Sequence, residues 1–111
     1  MRSKRAYRLY LSAPMSGQPN HGYDRLNDAA YRLRRLGYAV TNPAELDESE
    51  PSEIRWGAAI IRDLQWLDSC DGICLLDGWE ASPGARIEHE FAVREGKETG
   101  SLDYWTRGAR R

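Results

Sequence analysis

The chain has 111 residues, with 41% apolar and 30% charged side chains, and 16 Lys+Arg against 17 Asp+Glu give a net charge of -1. This suits one compact domain and excludes a disordered chain. The near-neutral balance also excludes an electrostatic binder of nucleic-acid polymers, which needs a surplus of positive charge. Only the ends lean basic, through Arg2, Lys4, Arg5 and Arg8 and through Arg107, Arg110 and Arg111. No apolar run has the length of a membrane span, and no cleavable leader is expected before the first strand. Cys70 and Cys74 do not form an extracellular disulfide framework. A small cytoplasmic domain is therefore expected, and an oligomeric one, because small cores are marginal alone.

Residues 7–12, YRLYLS, alternate as a strand: Tyr7, Leu9 and Leu11 share one face, Arg8 and Tyr10 the other. The following APMSGQPNHG is a shaped loop, rich in Pro, Gly, Ser and Asn. Over 23–36, Leu26, Ala29, Ala30, Leu33 and Leu36 recur at helical spacing, and Gly37 ends the helix. A short strand is expected at 38–41, broken by Asn42-Pro43, which shapes a rim loop. The acidic stretch 45–53 reads as a solvated loop.

A second helix is expected over about 53–69, with Ile54, Ile61, Leu64 and Leu67 inward. Residues 73–76, ICLL, form a continuous apolar run suited to a central parallel strand. Asp77 to Pro83 reads as a loop, and a third helix runs from about 84 to 95 with Ile87, Phe91 and Ala92 inward. Trp56, Trp66 and Trp79 are expected in the core or at a subunit interface. The tail from 97 onward is less defined: Leu102, Tyr104 and Trp105 make a final strand or cover an interface. Residues 1–111 thus form a single α/β domain, a three-layer Rossmann-like or flavodoxin-like fold with a mostly parallel sheet. Its right-handed crossovers bring the loops after Ser12, Thr41 and Leu76 to one sheet edge.

Chemistry concentrates in SPGARIE, residues 82–88. Gly84 and Ala85 permit close approach at a helix start, Ser82 offers a hydroxyl, and the free N–H groups there favour an anion. Glu88 lies one turn inside that helix. A second carboxylate, Asp63, sits at the margin of an apolar helical face. Two carboxylates at one cleft can divide glycosyl chemistry, although periodicity alone does not bring these two together. Cys70, Cys74, His21 and His89 make no metal pattern, so neither metal nor cofactor is expected.

In order and spacing, YLSAPMSG at 10–17, NPAEL at 42–46, Asp63 before Cys70-Asp71-Gly72, and Trp79 before SPGARIE make up a distinctive set. Over residues 7–96 the chain resembles the nucleoside 2-deoxyribosyltransferase-like superfamily. Within it, the likeness is to nucleoside 5'-monophosphate N-glycosidases and to a small bacterial and phage-associated branch. The resemblance implies that Glu88 is a nucleophile forming a covalent intermediate at the sugar C1'. Asp63 would then assist the leaving base or position the sugar, and the Tyr10 hydroxyl would orient Glu88. Ser82 stands where monophosphate hydrolases carry serine and transferases of free nucleosides commonly carry aspartate, so it adds no charge to repel a phosphate. The first loop departs from the hydrolase pattern, with Ser16 at the place of an arginine near the phosphate. Ser12, Ser16, Gly17 and the N–H groups near Gly84 are then the phosphate contacts, with Met15 as pocket wall and Trp79 lining the base pocket.

The implied activity is N-glycosidase hydrolysis of a 2'-deoxyribonucleoside 5'-monophosphate through a glutamate-linked glycosyl intermediate. The alternatives are a nucleoside 2-deoxyribosyltransferase and a non-catalytic nucleotide-binding or regulatory module. The partner is a small nucleotide or nucleoside, with no nucleic-acid polymer and no membrane. The assembly is a homodimer or higher homo-oligomer, in which a neighbouring subunit completes the pocket.

Overall fold

The computed structural model describes residues 5–107; Arg2, Lys4, Arg110 and Arg111, most of the basic ends, lie outside the described residues. Four strands, β1 (Arg8–Ser12), β2 (Ala39–Thr41), β3 (Gly72–Leu75) and β4 (Glu98–Ser101), form one sheet in the order β2-β1-β3-β4. Every neighbouring pair is parallel, with Leu9 opposite Val40 on one side and Gly72 on the other. Helices α1 (Tyr23–Arg35), α2 (Pro43–Glu48), α3 (Trp56–Asp68), α4 (Pro83–Arg94) and α5 (Leu102–Thr106) complete the fold.

Strand alternation divides the core in two. Leu9, Leu11 and Cys74 point to one side, where Leu26, Ala29, Ala30 and Leu33 of α1 and Trp105 of α5 cover them. Tyr10, Ile73 and Leu75 point to the other side and meet Leu67 and Ala92 from α3 and α4. The β1 and β3 side chains are buried almost throughout, as expected for parallel strands covered on both faces. The α/β three-layer reading therefore holds, with the sheet fully parallel.

Several expectations change. The 45–53 stretch is not wholly a loop, because α2 begins at Pro43. Buried Asn42 is its N-cap and accepts from the Ala44 N–H at 3.0 Å. Asn before Pro is thus a helix start here rather than a rim-loop break. Helix α3 starts at Trp56, and its inward stripe carries Asp63 and Leu67 while Ile61 is 63% exposed. The apolar pattern misplaced this face because a carboxylate occupies an inward position. Trp56 and Trp66 are about half exposed rather than core, and Ile87 also faces outward.

The tail supplies both a strand and a helix. β4 extends the sheet edge, and Ser101 then caps α5 by accepting from the Tyr104 N–H. Trp105 is completely buried, packs among Tyr7, Tyr38 and Tyr104, and donates its indole N–H to the Ile73 carbonyl at 3.0 Å. Truncation of this side chain removes a large apolar contact and a bond to the central strand. Trp105→Ala is expected to lower the unfolding free energy by about 3–5 kcal/mol, with Trp105→Phe losing less. Urea denaturation followed by circular dichroism measures both.

Candidate active site

The chain leaves β1 towards β2 on one side, and β3 lies on the other, so the crevice between β1 and β3 is the switch point of the sheet. A cavity of about 370 Å³ opens there, walled by residues 13–16, by Asp77 and Gly78, by α3 and by the start of α4. The first loop is held tightly. Asn20, His21 and Gly22 are all in the left-handed region, and a Cβ on Gly22 would sit 2.6 Å from the Pro14 carbonyl oxygen. Only glycine allows that approach of the α1 start to the loop.

Glu88 forms the floor of the cavity and is 5% exposed. Tyr10 and Ser12 are two residues apart on β1, so their hydroxyls emerge on the same face. Tyr10 Oη donates to Glu88 Oε2 and Ser12 Oγ donates to Oε1, each at 2.7 Å. Burial pushes the Glu88 carboxyl up to about 7, against the pull of these two bonds, and the nearby Asp63 charge adds to the rise. The Tyr10 phenol is held well above its usual range by burial and by both carboxylates, so it stays a donor.

Asp63 reaches the same cavity from α3 and is also 5% exposed. Its Oδ1 accepts from Arg62 Nε at 3.0 Å and from Nη2 at 2.8 Å. Burial raises the Asp63 carboxyl, and the Arg62 bonds and charge oppose that rise. Arg62 also donates to Asp47 of α2 at 2.8 Å and to Glu50 at 3.2 Å, and Asp47 receives the Tyr23 hydroxyl at 2.8 Å. Burial works against the Arg62 charge, but its bonds to Asp47, Asp63 and Glu50 hold the guanidinium above its usual value. A carboxylate with two fixed hydroxyl donors beside a second carboxylate is equipped to attack an electrophilic carbon or to hold a proton.

Met15, Ser16, Ser82 and Gly84 line the cavity with Asp63 and Glu88. Ser82 also caps α4, accepting from the Ala85 N–H at 3.2 Å. Gly84 has a packing reason as well, since a Cβ there would press on Ile60 of α3 at 3.2 Å. Three expected binding residues lie elsewhere. Ser12 is fully buried beneath Glu88 and acts on that carboxylate, not on the cavity. Gly17 falls outside the lining, in the left-handed turn that follows Ser16. Trp79 packs on His89 with ring centroids 4.4 Å apart and covers the α4 side of the core.

Sequence reasoning missed Arg62, Asp47 and Arg25. Arg25 lines the cavity from α1 and donates to the Asp77 carbonyl at 2.9 Å. Its position on the wet face of an amphipathic helix gave no sign of a pocket. Among the described residues, no three His, Cys, Asp or Glu side chains gather as a metal site. No described helix is long and apolar enough to cross a membrane.

The fold is similar to that of the 2-desoxiribosyltransferase from Leishmania mexicana, with a TM-score of 0.66 at 15% sequence identity. The match covers 86% of this chain and 63% of that one, so this chain spans less than two thirds of its neighbour's length. The resemblance read from the motifs thus agrees with the architecture: a nucleoside 2-deoxyribosyltransferase-like, Rossmann-type α/β fold. No curated protein matches the chain. The family model described as "Domain of unknown function (DUF4406)" matches residues 7–99, and the chain belongs to that family.

Proposed function

We propose that this site cleaves the N-glycosidic bond of a 2'-deoxyribonucleoside 5'-monophosphate by covalent catalysis at Glu88. The observation that carries this reading is the Glu88 carboxylate on the cavity floor, with each oxygen held by one hydroxyl. One Glu88 oxygen bonds to C1' as the C1'–N bond breaks. The base leaves with the bonding electron pair and takes up a proton from solvent water. Asp63 assists that departure from the neighbouring wall and positions the sugar. Water then attacks C1' of the glycosyl ester, gives up a proton and restores the Glu88 carboxylate.

The wall chemistry supports a phosphorylated substrate. Ser82 adds no negative charge, Ser16 and the start of α4 offer donors, and Arg25 brings a cation to the cavity that Ser16 does not. The structural neighbour's name, a 2-desoxiribosyltransferase, fits the same glycosyl intermediate, with a second base in place of water. A product assay with and without an added acceptor base distinguishes the two fates.

We also infer a homodimer in a reducing, cytoplasmic setting. Cys70 and Cys74 are free and buried, and Trp56, Ile61 and Trp66 leave apolar surface for a partner to cover. Light scattering is expected to give the mass of at least two chains; a monomer at working concentration overturns this assembly.

The purified protein is expected to release free base from at least one 2'-deoxyribonucleoside 5'-monophosphate in a chromatographic screen that includes the matching nucleosides. Glu88→Ala is expected to lower that turnover by at least about a thousandfold while ligand binding persists. Base release unchanged in the variant would remove Glu88 as nucleophile. The pH profile follows from the raised carboxyl. Glu88 must be ionised to attack, so kcat/KM is expected to climb with pH and level off above about 7. Below that midpoint it is expected to fall about tenfold per pH unit. A flat profile between pH 5 and 8, with the protein folded throughout, would contradict this assignment.

A further inference from the structure

The guanidinium of Arg62 occupies an unusual place. Adjacent residues on a helix normally diverge by about 100°, yet Arg62 folds back onto Asp63 and gives it two N–H donors. The same side chain is largely shielded from solvent and spans to Asp47 in α2 and Glu50 just after it. Arg62 thus ties three carboxylates from two segments together at the cavity wall. A pair whose members are joined by hydrogen bonds and partly desolvated constrains geometry far more than an exposed ion pair does.

The groups facing Asp63 define what this contact can decide. From α3 there is Arg62; from α2, Asp47; from β1, Tyr10; from α4, Glu88; and Glu50, after α2, acts through Arg62. Tyr23 of α1 acts one step further out, through Asp47. Glu88 receives only hydroxyl donors, whereas Asp63 receives a full positive charge through two bonds to one oxygen. The two carboxyls are therefore unequal, and a proton shared at the site is better placed on Glu88 until it ionises.

We propose that Arg62 is the positioning residue of this site, fixing the Asp63 carboxylate in place and holding it as the anionic partner of Glu88. Oδ1 is committed to Arg62, and Oδ2 lies outside that contact. Asp63 then acts by its charge and as a hydrogen-bond acceptor, stabilising positive charge that develops on the sugar as the base leaves. Asp47 and Glu50 hold the guanidinium at the angle this requires. The assignment to a glycosyl site rests on the function proposed above; the Arg62–Asp63 relation does not.

The test therefore reads the carboxyl directly as well as turnover. An NMR titration of labelled aspartate carboxyl carbons, with Asp63→Asn to identify the signal, follows Asp63 in wild type, Arg62→Gln and Arg62→Lys. The Asp63 midpoint is expected to rise by at least about one pH unit in Arg62→Gln and to stay close to wild type in Arg62→Lys. An unchanged midpoint in folded Arg62→Gln overturns the proposal. If Arg62→Gln does not fold, the Arg62 Nε–H resonance of wild type decides. It is expected to shift with the Asp63 midpoint, and a signal indifferent to that titration overturns the assignment. Where base release is measurable, Arg62→Gln is expected to lower kcat at least about tenfold with a smaller change in KM, and Arg62→Lys to recover part of it. Equal kcat in wild type and Arg62→Gln overturns the positioning role. A wild type that titrates as expected but releases no base leaves the Arg62 relation standing and removes the glycosidic reading alone.

Discussion

A carboxylate buried at the carboxyl edge of a parallel sheet needs donors that the backbone of the sheet no longer supplies, and the Glu88 site depends on how they are provided. Both come from β1, through Tyr10 and Ser12, and both face Glu88 because a strand repeats every two residues. Leu9 and Leu11 occupy the alternate positions and face α1. One short strand therefore contributes to the α1 side of the core with one face and supplies both hydroxyl donors of the carboxylate with the other. The same arrangement requires α4 to begin close to the end of β3, which Ser82 as N-cap and Pro83 in the first turn accomplish. Glycine at 84 lets α3 press against that start and brings its own carboxylate to the cavity.

This arrangement has a cost that runs opposite to that of most carboxylates. Glu88 titrates near 7 in the folded chain, above its ordinary 4.5, because burial outweighs the two hydroxyl bonds. The neutral form is therefore the one folding favours: its stabilising contribution is complete below the unfolded value and is lost as pH rises through about 7. The ionised form, the one able to attack carbon, is the form that strains the fold. Surrounding structure must hold it: a central strand, a capped helix and a first loop fitted against Gly22. Arg62 relieves charge chiefly on the Asp63 side, where it donates two bonds, and acts on Glu88 only through space.

The elements most legible in the sequence were those whose pattern has one physical reading. The YRLYLS alternation, the α1 stripe and the apolar run before Asp77 each define an element within a residue or two. Only resemblance to a family joins Glu88, Asp63 and Tyr10; spacing alone does not connect residues 78 and 25 positions apart. Helix α2 escaped because acidic composition outweighed the Asn-Pro start signal. The tail escaped because Trp105 makes its case in three dimensions, against Tyr7, Tyr38 and the β3 backbone. Arg25 and Arg62 looked like solvated arginines, since a helical wheel does not show that an outer face turns into a cleft. Ser12 and Trp79 read as ligand contacts in the sequence, whereas in the fold Ser12 braces a carboxylate and Trp79 packs on His89.

Charge balance gains a local meaning from these positions. With a net charge of -1 the chain creates no long-range attraction for an anion, and screening at physiological salt removes most of what distant residues contribute. The cavity itself carries Asp47, Asp63, Asp77 and Glu88 against Arg25 and Arg62, and Arg62 is already shared among three carboxylates. An anionic group entering the cleft is therefore repelled from the α3 wall and the floor. Arg25, Ser16, Ser82 and the start of α4, which line the same cavity, offer it a cation, hydroxyls and N–H groups. Overall neutrality and a strongly charged site are compatible because charges of both signs gather in a single cavity rather than spreading across the molecule.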